Sequence, residues 1–104
     1  MNYNNVELQQ LTEKWASDRG ITINGQAVTQ FLKLSEEVGE IGAALARNNI
    51  DAAKDGIGDV IVVLVSLSKL LGTDVNECWN IAYNEIKDRK GKLLPNGNFK
   101  KDEE

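Results

Sequence analysis

Residues 52–71, AAKDGIGDVIVVLVSLSKLL, decide the fold. Val62 to Val65 alone reads as a buried strand, because β-branched residues favour sheets. The length of the apolar stretch, its Ala52-Ala53 opening and the lack of enough strand candidates nearby argue instead for a helix buried nearly all round. Asp59 lies inside this stretch, where a carboxylate needs hydrogen bonds, a positive partner or a metal.

The same period extends outward. From about Gln26 to Arg47, Val28, Phe31, Leu32, Leu34, Val38, Ile41, Ala44 and Leu45 form a wide apolar face, and Asn48 and Asn49 suit its end. Asp51 is placed to cap or begin the helix that follows. Gly72 ends that helix, and Asp74 opens another whose apolar residues Val75, Cys78, Trp79, Ala82, Tyr83 and Ile86 carry it to about Arg89. Upstream, Val6 to about Asp18 reads as a first helix ending near Gly20, with Ile21 to Gly25 short enough to be extended chain. Gly91, Pro95 and Gly97 break the pattern, leaving from about residue 92 a short polar tail that is either free or folded over a ligand. An all-α, four-helix bundle forming a single domain over residues 1–104 is expected.

Composition removes several chemistries. The chain has no histidine and one cysteine, Cys78, so intrachain disulfides, His-containing zinc sites and His-dependent triads are excluded. Carboxylates remain, and these favour Mg²⁺, Mn²⁺ or Ca²⁺. With 12 Lys and Arg against 16 Asp and Glu, the net charge of -4 offers no overall basic character for nucleic acid. The N-terminus lacks the order of a secretory signal and the apolar stretch carries charges, so a soluble cytoplasmic protein with no membrane association is expected.

The acids fall into two groups. In KLSEEVGEI, residues 33–41, Glu36, Glu37 and Glu40 point toward one sector of a helix. In DGIGDVIVVL, residues 55–64, Asp55 and Asp59 occupy adjacent turns of another. If the two helices lie antiparallel, Glu37 and Glu40 meet Asp59 across the interface and form an oxygen-donor site for a divalent cation. The competing readings are a solvated acidic patch and a salt bridge from Asp59 to Lys33, Lys54 or Lys69. Gly56 and Gly58 are candidates for close helix approach.

The ordered combination of KLSEEVGEI, GDVIVVL and AYNEIKDRKG (residues 82–91) resembles the small MazG-like, all-alpha nucleoside triphosphate pyrophosphohydrolases, in their short phage or bacterial branch, over roughly residues 26–91. The resemblance implies Mg²⁺-dependent hydrolysis, with Mn²⁺ as substitute, of an NTP or dNTP to a monophosphate and pyrophosphate. It implies that Glu37, Glu40 and Asp59 hold metal, with Glu36 assisting metal binding or water activation, and that the chain forms a homodimer or homotetramer. Relatives often carry a further Glu three residues before the last metal Asp; here that position is Gly56, and Asp55 is the available substitute acid. Substrate contacts are expected from Lys33, Asn84, Lys87 and Arg89, with Trp15, Phe31, Trp79 and Tyr83 as candidates for base stacking. Two other functions stay open: a nucleotide-binding module weakened in catalysis by Gly56, and a structural helical interaction protein.

Overall fold

The computed structural model describes residues 1–102. Five helices are followed by a hairpin: α1 (Asn5–Asp18), α2 (Ile21–Asn24), α3 (Ala27–Ala46), α4 (Ile50–Leu70), α5 (Val75–Ile86), β1 (Gly91–Leu93) and β2 (Phe99–Lys101). The contested stretch is helical. Asn49 starts α4 by accepting a hydrogen bond from the Ala52 N–H at 3.1 Å, which leaves Asp51 in the first turn, where the helix dipole favours a negative charge.

α3 and α4 form a helical hairpin joined at Arg47–Asn49, with Asn48 in the left-handed region at φ 54° and the Asn49 N–H donating to the Ala44 carbonyl at 2.9 Å. They pack on each other more extensively than any other pair of elements, while α1 and α2 also pack on α4. The core is built from small residues, namely Ala16, Ala44, Ala53, Val63 and Val65. Buried Gly56 brings the helices close: a Cβ built there would lie 2.7 Å from Ile41 Cγ1. Gly58 has nothing within 4 Å of its corresponding position and takes no part in that approach.

Four expectations need correction. α4 is not buried nearly all round, since Ile57 and Ile61 remain 53% and 52% exposed; one chain supplies too few elements to surround it. Ile21–Asn24 is a helical turn rather than extended chain, entered through Gly20 at φ 77° and closed by the Gly25 N–H on the Ile21 carbonyl. The polar tail, expected to be either free or folded over a ligand, instead folds on itself: the Leu94 N–H donates to Asn98 O at 2.7 Å, Gly97 turns at φ 91°, and β1 pairs antiparallel with β2, setting Lys92 opposite Lys100. Pro95-Asn96-Gly97 supplies the turn chemistry for that hairpin. α5 stops at Ile86, short of the expected Arg89. The tail's last two residues, Glu103 and Glu104, lie outside the described residues. No single helix is long and apolar enough to cross a membrane.

Candidate metal centre and adjoining cleft

α3 carries Glu36 and Glu37 side by side with Glu40 on the next turn, and α4 brings Asp59 to the same level of the helical hairpin. One carboxylate oxygen from each of Glu37, Glu40 and Asp59 lies within 4.8 Å of the others. Glu37 is 8% exposed, Asp59 half-buried and Glu40 exposed, so the cluster grades from the helix interface to solvent. Glu37 Oε2 is buried without a hydrogen-bond partner, while its Oε1 lies 3.7 Å from Lys33 Nζ. Leaving a buried carboxylate oxygen unsatisfied is costly, and a hard cation coordinated there removes the cost. The donors present, three carboxylates with solvent on one side, suit an oxygen-preferring divalent ion.

Lys33 also lies 3.7 Å from Glu36, whose side chain is exposed. Among the described residues Asp59 has no ion-pair partner within 4.0 Å, although the Lys33 charge acts on it from a distance. Partial burial, then the negative charges of Asp55 and Glu37, raise the Asp59 pKa above the ordinary aspartate value, and a hydrogen bond with Asp55 acts in the same direction. Asp55 is thus beside Asp59 but outside the close three-carboxylate group.

A cleft of about 500 Å³ opens next to this cluster, with Lys33, Glu36, Glu37 and Asp59 in its wall. Trp15 contributes from α1, with the Arg19 guanidinium 4.5 Å from its ring centroid, and Ile21, Val62 and Val63 give an apolar side. Pockets for small organic ligands commonly run from about 300 to 1,000 Å³, apolar with a few polar groups. Sequence reasoning missed three polar lining residues, Thr29, Gln30 and Ser66. The spacing held a signal for two of them: Gln30 precedes Glu37 by seven residues and Ser66 follows Asp59 by seven, two helical turns along one face in each case.

Glu40 touches the cluster from outside the cleft's lining, and Asn84, Lys87 and Arg89 lie on α5 and the turn after it, outside that lining. Phe31, Trp79 and Tyr83 do not line it.

The MazG nucleotide pyrophosphohydrolase domain profile matches residues 26–93, which takes in α3, α4, α5 and β1. The chain is 46% identical over 67 residues to the "Uncharacterized 18.2 kDa protein in rep-hol intergenic region" of Haemophilus phage HP1 (strain HP1c1), covering 62% of this chain and 41% of that protein. The chain therefore spans less than half the length of this relative. No solved structure matches it.

Proposed function

Because the chain belongs to the MazG nucleotide pyrophosphohydrolase family, we propose that it is a Mg²⁺-dependent enzyme converting an NTP or dNTP to the monophosphate and pyrophosphate. The observation that carries this reading is the buried, unpartnered Oε2 of Glu37 in a three-carboxylate cluster beside a ligand-sized cleft.

Mg²⁺, with Mn²⁺ as its substitute, supplies Lewis-acid polarisation of phosphate oxygens when bound. Glu37, Glu40 and Asp59 hold the ion through their carboxylates. Lys33 meets phosphate charge at the cleft wall, and Trp15 with the apolar side of the cleft holds the base. Glu36, exposed and close to the cluster, takes the proton of the water that attacks the α-phosphorus. The bond from that phosphorus to the bridging oxygen breaks, and pyrophosphate leaves. In this reading the enzyme acts in the cytoplasm as a homo-oligomer.

A panel of NTPs and dNTPs incubated with Mg²⁺, with direct product identification, tests the reaction. Monophosphate and pyrophosphate are the expected products. Glu37→Gln, Glu40→Gln or Asp59→Asn is expected to lower turnover by about a hundredfold or more. Stepwise release of orthophosphate would overturn the reading.

Gly56 favours a second one. A glycine supplies no carboxylate where relatives often carry one, so a nucleotide-binding module with little catalysis is the alternative. Tight nucleotide binding with Mg²⁺ and no turnover across the panel would select it.

A further inference from the structure

The cleft is graded along its length. Its charged lining residues, Lys33, Glu36, Glu37 and Asp59, gather at the carboxylate end, where Lys33 Nζ lies 3.7 Å from both Glu36 and Glu37. The remaining polar residues of the wall, Thr29, Gln30 and Ser66, carry no charge.

Two of these fall at one depth. Gln30 precedes Glu37 on α3 by seven residues, and Ser66 follows Asp59 on α4 by seven. α3 and α4 run in opposite directions and Glu37 meets Asp59 at one level, so both offsets lead the same way along the hairpin. At 1.5 Å per residue, Gln30 and Ser66 therefore share a second level about 10 Å from the carboxylates. A mononucleotide spans that distance from its α-phosphate to the edge of its base.

Ser66 is 2% exposed and stands in the most apolar part of α4, between Val65 and Leu67. A buried hydroxyl costs free energy unless it meets a polar partner. Ser68, two residues on, gives its hydroxyl to the Val65 carbonyl at 2.8 Å, whereas Ser66 lines the cleft. Gln30, half-buried in the opposite wall, offers a carboxamide with both donor and acceptor.

The surroundings suit a flat ring. Val62 and Val63 lie between the two levels, and Trp15 adds an aromatic wall. Arg19 braces Trp15, donating to its carbonyl at 3.1 Å and setting a guanidinium 4.5 Å from the ring centroid. Arg19 is outside the lining, so the far end of the cleft gains no charge from it. An aromatic wall, apolar sides and two uncharged hydrogen-bonding groups at one depth fit a heteroaromatic base and do not fit a phosphate.

We propose that Gln30 and Ser66 select the base of the nucleotide. The Gln30 carboxamide pairs with a donor and an acceptor side by side on the base edge, and the Ser66 hydroxyl meets a further polar atom of the ring. The assignment rests on the pyrophosphohydrolase reading for the presence of a nucleotide, and it goes beyond that reading in giving the choice of substrate to two facing residues of α3 and α4. Selectivity is thereby separate from the metal carboxylates, which meet only phosphates and water.

Titration calorimetry with Mn²⁺ and the α,β-imido analogues of ATP, GTP, CTP and UTP, and of their deoxy counterparts, tests this without turnover, because the imido bridge replaces the bond to be cleaved. Wild type is expected to separate its best base from its worst by about tenfold or more in Kd. Gln30→Leu is expected to narrow the spread to about threefold, with the affinity for Mn²⁺ alone unchanged, and Ser66→Ala to narrow it by about threefold. Gln30→Glu, whose carboxylate only accepts, is expected to weaken binding of the uracil analogues relative to those of adenine, cytosine and guanine, which carry an amino group.

Equal loss of affinity for every analogue in Gln30→Leu is what lost packing alone gives, and it overturns the selective role, as does an unshifted uracil ratio in Gln30→Glu. A wild type that binds no analogue, or all within threefold of one another, overturns it too. Selective binding of the analogues with no hydrolysis of the parent nucleotides sinks the pyrophosphohydrolase reading and leaves base selection standing. Hydrolysis of all of them at equal kcat/KM does the reverse.

Discussion

Gly56 on α4 faces Ile41 on α3 so closely that a Cβ at position 56 would lie 2.7 Å from Ile41 Cγ1. Replacing a helix-interior glycine by alanine ordinarily stabilises by about 0.5–1 kcal/mol. Overpacking a close contact costs about 1–3 kcal/mol, and here it outweighs the helical gain. Gly56→Ala is therefore expected to destabilise by about 1–2 kcal/mol, whereas Gly58→Ala, with nothing within 4 Å, stabilises by about 0.5–1 kcal/mol. Urea unfolding of the two variants side by side checks the opposite signs, and a stabilised Gly56→Ala would show that α3 and α4 do not pack this closely at Gly56.

The same position shows what was legible in sequence. Helical period and capping residues gave α3 and α4, and spacing alone brought Glu37, Glu40 and Asp59 to one level of a helical hairpin. A glycine among apolar residues suggested close approach, but sequence could not separate Gly56 from Gly58, because only the facing Ile41 distinguishes them. The hairpin was missed because β1 and β2 are three residues each and wholly exposed. Their pairing depends on the Pro95-Asn96-Gly97 turn rather than on an alternating apolar pattern. Near-complete burial of α4 was overread for a related reason: apolar composition records how much surface will be covered, not whether the same chain covers it.

Glu37 couples stability against function. Its Oε2 is buried without a partner, a cost of about 1–3 kcal/mol in the metal-free protein. Glu37→Gln keeps the shape and removes a negative charge crowded against the Glu40 and Asp59 carboxylates, so the metal-free variant is expected to melt higher than wild type. It is also expected to lose most of the melting-temperature increase that Mg²⁺ gives wild type. Thermal unfolding with EDTA and with Mg²⁺ reads both effects; a variant that melts lower with EDTA would show that Glu37 is already satisfied without an ion.

Asp59 sets a pH dependence in the metal-free state. Its pKa is raised by partial burial and by the charges of Asp55 and Glu37, so the folded chain holds this proton more tightly than the unfolded chain. Between the ordinary aspartate value and the raised one, the folded state binds more protons, and stability falls as pH rises through that window. Asp59→Asn is expected to remove this contribution, leaving a flatter stability profile across the window. Denaturant titrations with EDTA at several pH values measure it, and an unchanged slope in the variant would assign the dependence to another group.

Asp55 tests how the chain manages without a carboxylate at position 56. Its charge raises the pKa of Asp59 from beside it, and it lies outside the close group of Glu37, Glu40 and Asp59. From there it would orient the Asp59 carboxylate or bind a water on the ion, and outer-shell partners of this kind contribute about 10- to 100-fold in metal affinity. Asp55→Asn is accordingly expected to weaken Mg²⁺ or Mn²⁺ binding by about tenfold, while Asp59→Asn abolishes it. Titration calorimetry with Mn²⁺ separates the two effects without reference to turnover. Equal affinities for wild type and Asp55→Asn would remove Asp55 from the centre and leave three carboxylates as its whole protein ligand set.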